Sequence, residues 1–202
     1  MALRRTDVAQ AIKESMPHLE LALWDLAPFM KSFHYMRKEM VFVECKAFAV
    51  EEVAKLLAFK FAKKASIYCG VLKPRGRGLP GTEGSIVVVS RDNFKGMIED
   101  KDLGVWMPTL EERAAELLAF ASRGTLPIGF RDAVGAIAHL VSSGELSASK
   151  LHRFATRRYM GWLLDVIFYK LSMKNEIEGV PPSHLKAGEK WLKIINEVEE
   201  LE

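Results

Sequence analysis

The run Ser85-Ile86-Val87-Val88-Val89 is the strongest strand signal in the 202-residue chain, because four of its five residues are β-branched. Met40-Val41-Phe42-Val43-Glu44 is a second β-rich and mostly apolar run, as expected of a central strand. Residues 19–25 and 65–71 are two further predicted strands, and residues 6–16 and 50–64 carry apolar residues at helical spacing. This order predicts a small sheet packed by helices.

The pattern changes to helices near residue 108. Pro108-Thr109-Leu110-Glu111-Glu112 is typical of a helix start, with Thr109 as the N-cap and Glu112 as its capping-box partner. Ser147 is predicted to cap a later helix. We therefore predict a mixed α/β fold class, with a sheet-bearing domain over residues 1–105 and a helical domain over residues 106–202, or one continuous fold. The predicted helices of the second half end near residue 122 and then span 128–143, 148–158, 159–173 and 184–200.

The composition excludes several classes of protein. Hydrophobic residues make up 49% of the chain, which is enough for a sizeable core, yet no apolar run approaches the roughly 18 residues that span a bilayer. The first residues lack the apolar core of a signal peptide, and two cysteines are too few for a disulfide framework. We expect a cytoplasmic protein with no membrane partner. Glutamine and asparagine are scarce, which favours a thermophilic source.

Positive charge is concentrated in the middle of the chain. Residues 55–95 contain nine basic and two acidic residues, a net charge of +7. A basic segment favours an anionic partner, DNA or RNA first, although a solvated surface balanced by acids elsewhere also fits. Within it, Arg75 and Arg77 alternate with glycines in a predicted loop, where the backbone can approach phosphates closely. The loop lacks the Gly-Lys-Ser/Thr ending of a P-loop, which argues against that kind of nucleotide site.

A second group of cations lies on one predicted helix of the second half. Positions 150, 153 and 157 are spaced three and four apart and share a helix face, which predicts a stripe that faces phosphates. Tyr159 and Trp162 follow and are suited to stacking on a base. The alternative is that the arginines pair with acids of neighbouring helices and the aromatic rings belong to the core. The cations are Lys150, Arg153, Arg157 and Arg158.

An alternative enzymatic interpretation rests on Asp25, Glu44 and Lys46. Two carboxylates that hold Mg²⁺, with a lysine that orients the attacking water, are the arrangement of PD-(D/E)xK nucleases. The pattern is short, and a surface strand end explains Glu44 and Lys46 equally well. The five histidines are scattered, and no pair shows a metal-ligand spacing such as H-x-x-x-H. No metal site and no cofactor are therefore favoured.

The order of several short motifs is similar to the C-terminal region of AbiEi-type antitoxin-like regulators. In that family a middle helix carries an aspartate, for which Glu116 stands here, and a late helix carries paired basic residues, matched by Arg157-Arg158. The family begins with a winged helix-turn-helix, whereas this chain has one predicted helix before Leu19, so DNA binding by that route is not expected. The motifs are Leu23-Trp24-Asp25, Val41-Phe42-Val43-Glu44, Ile86-Val87-Val88, Pro108-Thr109-Leu110-Glu111-Glu112 and Leu151-His152-Arg153-Phe154-Ala155-Thr156-Arg157-Arg158.

The resemblance implies a regulator that acts by binding. We expect a non-enzymatic protein that binds nucleic acid, a toxin-like protein partner, or both. Two alternatives stay open: the Mg²⁺-dependent nuclease, and a structural or oligomerisation module with no ligand.

Overall fold

The structure is a computed structural model that describes residues 3–32, 39–62, 64–69, 84–124 and 129–199. The chain divides into two compact units, one of residues 1–30 and 35–109 and the other of residues 31–34 and 110–202. Within the described ranges, the first unit holds a six-stranded mixed sheet with helices and the second holds five α-helices. The predicted mixed α/β fold class is confirmed.

The sheet of the first unit has the strand order β3-β4-β2-β1-β6-β5. Strands β2, β3 and β4 run parallel to one another, and β1 is antiparallel to β2 and parallel to β6. Strands β5 and β6, which pair antiparallel, were not predicted, because three residues are too few to show a periodic pattern. The strands are β1 (Leu21–Asp25), β2 (Glu39–Cys45), β3 (Ala65–Cys69), β4 (Gly84–Ser90), β5 (Ile98–Asp100) and β6 (Val105–Met107).

Two helices, α1 (Arg5–Ser15) and α2 (Val50–Phe61), cover one face of this sheet. Alternate residues of the central strands, among them Leu23, Val43 and Val88, point to that face and are fully buried with the apolar sides of both helices. On the opposite face the rings of Trp24 and Phe42 stack, with centroids 3.8 Å apart. Short 3₁₀ helices cover Ala27–Ser32 and Ala47–Ala49.

Two helices of the second unit, α5 and α7, begin with residues that favour a helix start. Ser147 caps α5, as predicted, because its side chain accepts a hydrogen bond from the backbone N–H of Lys150. The last helix, predicted over 184–200, begins two residues earlier, with Pro182 as the first residue of α7, where its missing N–H costs nothing. The helices are α3 (Leu110–Ser122), α4 (Phe130–Ser142), α5 (Ala148–Thr156), α6 (Gly161–Met173) and α7 (Pro182–Glu199).

No helix in the described ranges combines the length and the apolar character that crossing a bilayer requires.

Candidate functional site

Helix α5 has a buried side and a cationic side. Ala148, Leu151 and Ala155 are buried, and the cations on the opposite side are exposed to solvent. The +3 and +4 spacing places the exposed residues in one row. These cations are Lys150, Arg153 and Arg157, three of the four predicted on this helix.

Aromatic side chains lie beside this row. The Arg157 guanidinium lies over the ring of Phe154, 5.4 Å from its centroid. Tyr159, just past the end of α5, is 90% exposed and has a positive φ of 59°, a conformation that a bulky residue rarely adopts. We call Lys150, Arg153, Arg157 and Tyr159 the α5 surface.

Trp162 is only partly exposed for stacking on a base. It is 43% exposed, and its ring lies 6.4 Å from the ring of Trp191 on α7. Trp162 therefore contributes to helix packing as well as to the surface.

Arg158 does not belong to the α5 surface. Its Nη2 forms an ion pair with Glu116 on α3 and lies 3.5 Å from Glu112 Oε1, and its Nη1 donates to the Phe154 carbonyl at 2.9 Å. The prediction that Arg158 faces phosphates together with its neighbours is replaced by the alternative of pairing with acids. The reason is that acidic residues of α3 lie within reach of position 158.

Arg75 and Arg77 lie outside the described residues, so their predicted contact with phosphates stays a prediction.

The structure does not bring Asp25 and Glu44 together. In the β1–β2 ladder Asp25 pairs with Val41 and Glu44 pairs with Ala22. Paired residues share a face and successive residues alternate, so the two carboxylates point to opposite faces of the sheet. A shared Mg²⁺ between them is therefore ruled out.

Glu44 and Lys46 have other partners. The Glu44 carboxylate, 3% exposed, accepts a hydrogen bond from Trp24 Nε1 at 2.6 Å and forms an ion pair with Arg91. Lys46 donates to the Asp92 carbonyl and lies over the ring of Phe94, 5.7 Å from its centroid. These contacts give both residues a structural role, which removes the geometric basis of the nuclease alternative.

Three helices of the second unit bring together a cluster that the sequence did not predict. His152 of α5 and His184 of α7 both contact the Asp165 carboxylate of α6, at 3.1 Å from Nε2 and 2.9 Å from Nδ1. The two imidazole centroids are 4.4 Å apart, and Asp165 is buried. The residues are 13 and 19 positions apart in sequence, so no short motif could reveal them. We call them the His-Asp-His cluster.

Thr156, Gly161 and Phe168 lie next to this cluster. Thr156 Oγ1 lies 3.5 Å from His152 Nδ1 and donates to the His152 carbonyl at 2.8 Å. A Cβ at Gly161 would overlap Thr156 Oγ1 and lie 3.3 Å from His152 Nε2. The His184 ring packs edge-on against Phe168. Small residues and close contacts thus fix the position of His152 and His184.

The cysteines form no part of these groups. Cys45 is buried in the sheet core, and burial, followed by the charge of Cys69, raises the pKa of its thiol to about 11. Both cysteines are free thiols. A raised pKa disfavours the thiolate that nucleophilic chemistry needs.

Comparison with protein-family models, with curated proteins and with solved structures finds no match to this chain. The resemblance to AbiEi-type regulators and the toxin-like protein partner that it implies therefore stay predictions.

Proposed function

We propose that the protein binds single-stranded nucleic acid through the α5 surface. One observation carries the proposal: three exposed cations, two on α5 and one at its C-cap, lie in a row next in sequence to a tyrosine that is 90% exposed. This is the combination that single-strand binding uses, with cations along the phosphate backbone and an aromatic ring for a base.

The cations supply the affinity and the tyrosine supplies the preference for a single strand. Lys150, Arg153 and Arg157 lie on consecutive turns of one helix side, so they can neutralise neighbouring phosphates and release counterions. Tyr159 can stack only on a base that is not already stacked in a duplex. The residue is 90% exposed, and its ring is therefore accessible to a base.

The experiment is a fluorescence anisotropy titration with labelled oligonucleotides, single-stranded and double-stranded, of DNA and of RNA. The test variant removes the cations by Lys150→Ala, Arg153→Ala and Arg157→Ala together. The matched control removes three exposed cations from other helices or helix ends of the same unit, Arg131→Ala, Lys174→Ala and Lys190→Ala, and so changes the net charge equally. Circular dichroism confirms that each variant is folded.

We expect the test variant to lose at least tenfold in affinity and the control variant to lose less than threefold. Tyr159→Ala is expected to weaken single-strand binding about tenfold, the low end of the effect of one stacked base, and to leave duplex binding unchanged. Equal losses in the test and control variants would contradict the proposal, as would tighter binding of a duplex than of a single strand of the same sequence.

A further inference from the structure

We infer that His152, Asp165 and His184 form a binding site for one divalent transition-metal ion, with Zn²⁺ as the representative ion. The three side chains offer two imidazole nitrogens and one carboxylate, and their donor atoms lie within 4.8 Å of one another. This site is independent of the proposed nucleic-acid surface, because it uses different residues of α5.

The distances suit a shared ion. In a tetrahedral zinc site with bonds of about 2.0–2.1 Å, neighbouring ligand atoms are about 3.3 Å apart. Asp165 Oδ2 lies 3.1 Å from His152 Nε2 and Asp165 Oδ1 lies 2.9 Å from His184 Nδ1, both close to that spacing. The third separation, between the two imidazole nitrogens, is within 4.8 Å. Hydrogen bonds between the Asp165 carboxylate and both imidazole rings hold the three side chains close together, near their positions for binding an ion.

The donor types select the class of ion. Imidazole nitrogen suits zinc, copper, nickel and iron, whereas Mg²⁺ and Ca²⁺ prefer oxygen ligands. Two histidines and one carboxylate are a common ligand set for zinc, and three protein ligands leave a position for water. The side chains of His152 and His184 are 24% and 16% exposed, which gives an ion and a water molecule access from solvent.

Thr156 fits the role of a group that orients a metal ligand. A histidine that binds a metal through one ring nitrogen usually donates its other N–H to a nearby oxygen. His152 offers Nε2 to the ion, and its Nδ1 lies 3.5 Å from Thr156 Oγ1. The hydroxyl proton of Thr156 is already donated to the His152 carbonyl, which leaves Oγ1 as the acceptor.

The location of the cluster gives the ion a structural effect. His152, Asp165 and His184 come from α5, α6 and α7, so one ion would link three helices. Gly188 allows α7 to lie against the Asp165 backbone, since a Cβ there would overlap the Asp165 carbonyl oxygen. Binding to the folded state alone raises its stability by mass action, so the melting temperature should rise with metal concentration.

The test uses the full chain after treatment with a chelator and dialysis. Co²⁺ is titrated and followed by its visible d–d absorption, and Zn²⁺ is then added to displace it. We expect one Co²⁺ per chain, full displacement by Zn²⁺ and a higher melting temperature with Zn²⁺. His184→Gln should bind at least tenfold more weakly, whereas the matched control His139→Gln, an exposed histidine of α4, should bind as the unaltered chain does.

Further variants separate a metal site from a purely structural cluster. Thr156→Val should weaken Co²⁺ binding about tenfold, the size of effect usual for an orienting group, and Thr156→Ser should restore it. Cys69→Ala should bind unchanged, because no thiol belongs to the ligand set. Absence of d–d absorption at one equivalent of Co²⁺ would overturn the inference, as would equal losses in His184→Gln and His139→Gln.

A measurement on the unaltered chain covers the case in which His184→Gln fails to fold. Diethyl pyrocarbonate modifies accessible imidazoles, and mass spectrometry locates the modified residues. Zn²⁺ should slow modification of His152 and His184 at least fivefold and leave His139 unchanged. Equal modification rates with and without Zn²⁺ would overturn the inference.

Discussion

Arg158 forms an ion pair with Glu116, while Arg157, its neighbour in sequence, is exposed to solvent. The Arg158 side chain is 16% exposed and also approaches Glu112 at 3.5 Å. Adjacent arginines therefore have different roles: Arg158 stabilises the packing of the helical unit, and Arg157 belongs to the α5 surface.

Arg158→Ala should lower the free energy of unfolding by about 3 kcal/mol, because it leaves the carboxylates of Glu112 and Glu116 without this cation in a largely buried place. Arg157→Ala should change it by less than about 0.5 kcal/mol. Urea denaturation measures both. Among folded variants, Arg157→Ala should weaken nucleic-acid binding more than Arg158→Ala does. A larger loss of stability in Arg157→Ala than in Arg158→Ala would refute this assignment.

Gly188→Ala should destabilise the helical unit by about 1–3 kcal/mol, because the added methyl group overlaps the backbone of Asp165 and forces α6 and α7 apart. Gly135 provides the control, since a Cβ at this exposed position inside α4 meets nothing within 4 Å. Gly135→Ala should stabilise the chain by about 0.5–1 kcal/mol through its higher helix propensity. Thermal unfolding monitored by circular dichroism measures the stability of both variants. A change in stability of the same sign in Gly188→Ala and Gly135→Ala would contradict the described packing of α6 and α7.

Glu44→Gln should lower the free energy of unfolding by about 3 kcal/mol, because it removes a buried negative charge that pairs with Arg91. Glu39→Gln, at the exposed first position of the same strand, should have an effect below about 0.5 kcal/mol. Guanidinium denaturation is the measurement. A Glu44→Gln variant as stable as the unaltered chain would show that this carboxylate is not structural.

Cys45 should make the stability of the fold fall at alkaline pH. Burial raises the pKa of its thiol from 9.0 to about 11 in the folded chain, so the unfolded chain loses this proton first as the pH rises. The contribution of the protonated Cys45 thiol to the free energy of unfolding is complete below about pH 9 and is lost progressively up to about pH 11. Its maximum is about 3 kcal/mol.

The comparison for this prediction is Cys45→Ala, which lacks the titrating group. Denaturation curves from pH 8 to 11 should show a steeper loss of stability in the unaltered chain than in the variant. Parallel pH profiles would contradict a raised thiol pKa.

Local sequence patterns were sufficient for the longer strands and helices and for the cap of α5. The β-branched run at Ile86 and its neighbours forms β4, and Ser147 caps α5, because both signals depend on residues close in sequence. β5 and β6 were missed because three-residue strands depend on pairing with a neighbour.

The candidate sites depend on contacts between residues that lie far apart in the sequence, which local patterns do not predict. Asp25 and Glu44 are separated by the register of β1 against β2, and a shift of one residue would have reversed which side chains share a face. Arg158 pairs with Glu116, which lies 42 positions earlier in the sequence and on another helix. His152, Asp165 and His184 meet only because three helices pack together, so the scattered positions of the histidines along the chain did not indicate a cluster.

The salt dependence of single-strand binding tests the central claim most directly. The slope of log Kobs against log salt concentration reports the number of phosphates that cations neutralise, about 0.7 for each in a single strand. Removing Lys150, Arg153 and Arg157 together should reduce the magnitude of this slope by about 2. The control with Arg131, Lys174 and Lys190 replaced should keep the slope of the unaltered chain. An unchanged slope in the first variant, or an equal reduction in both, would contradict binding through the α5 surface.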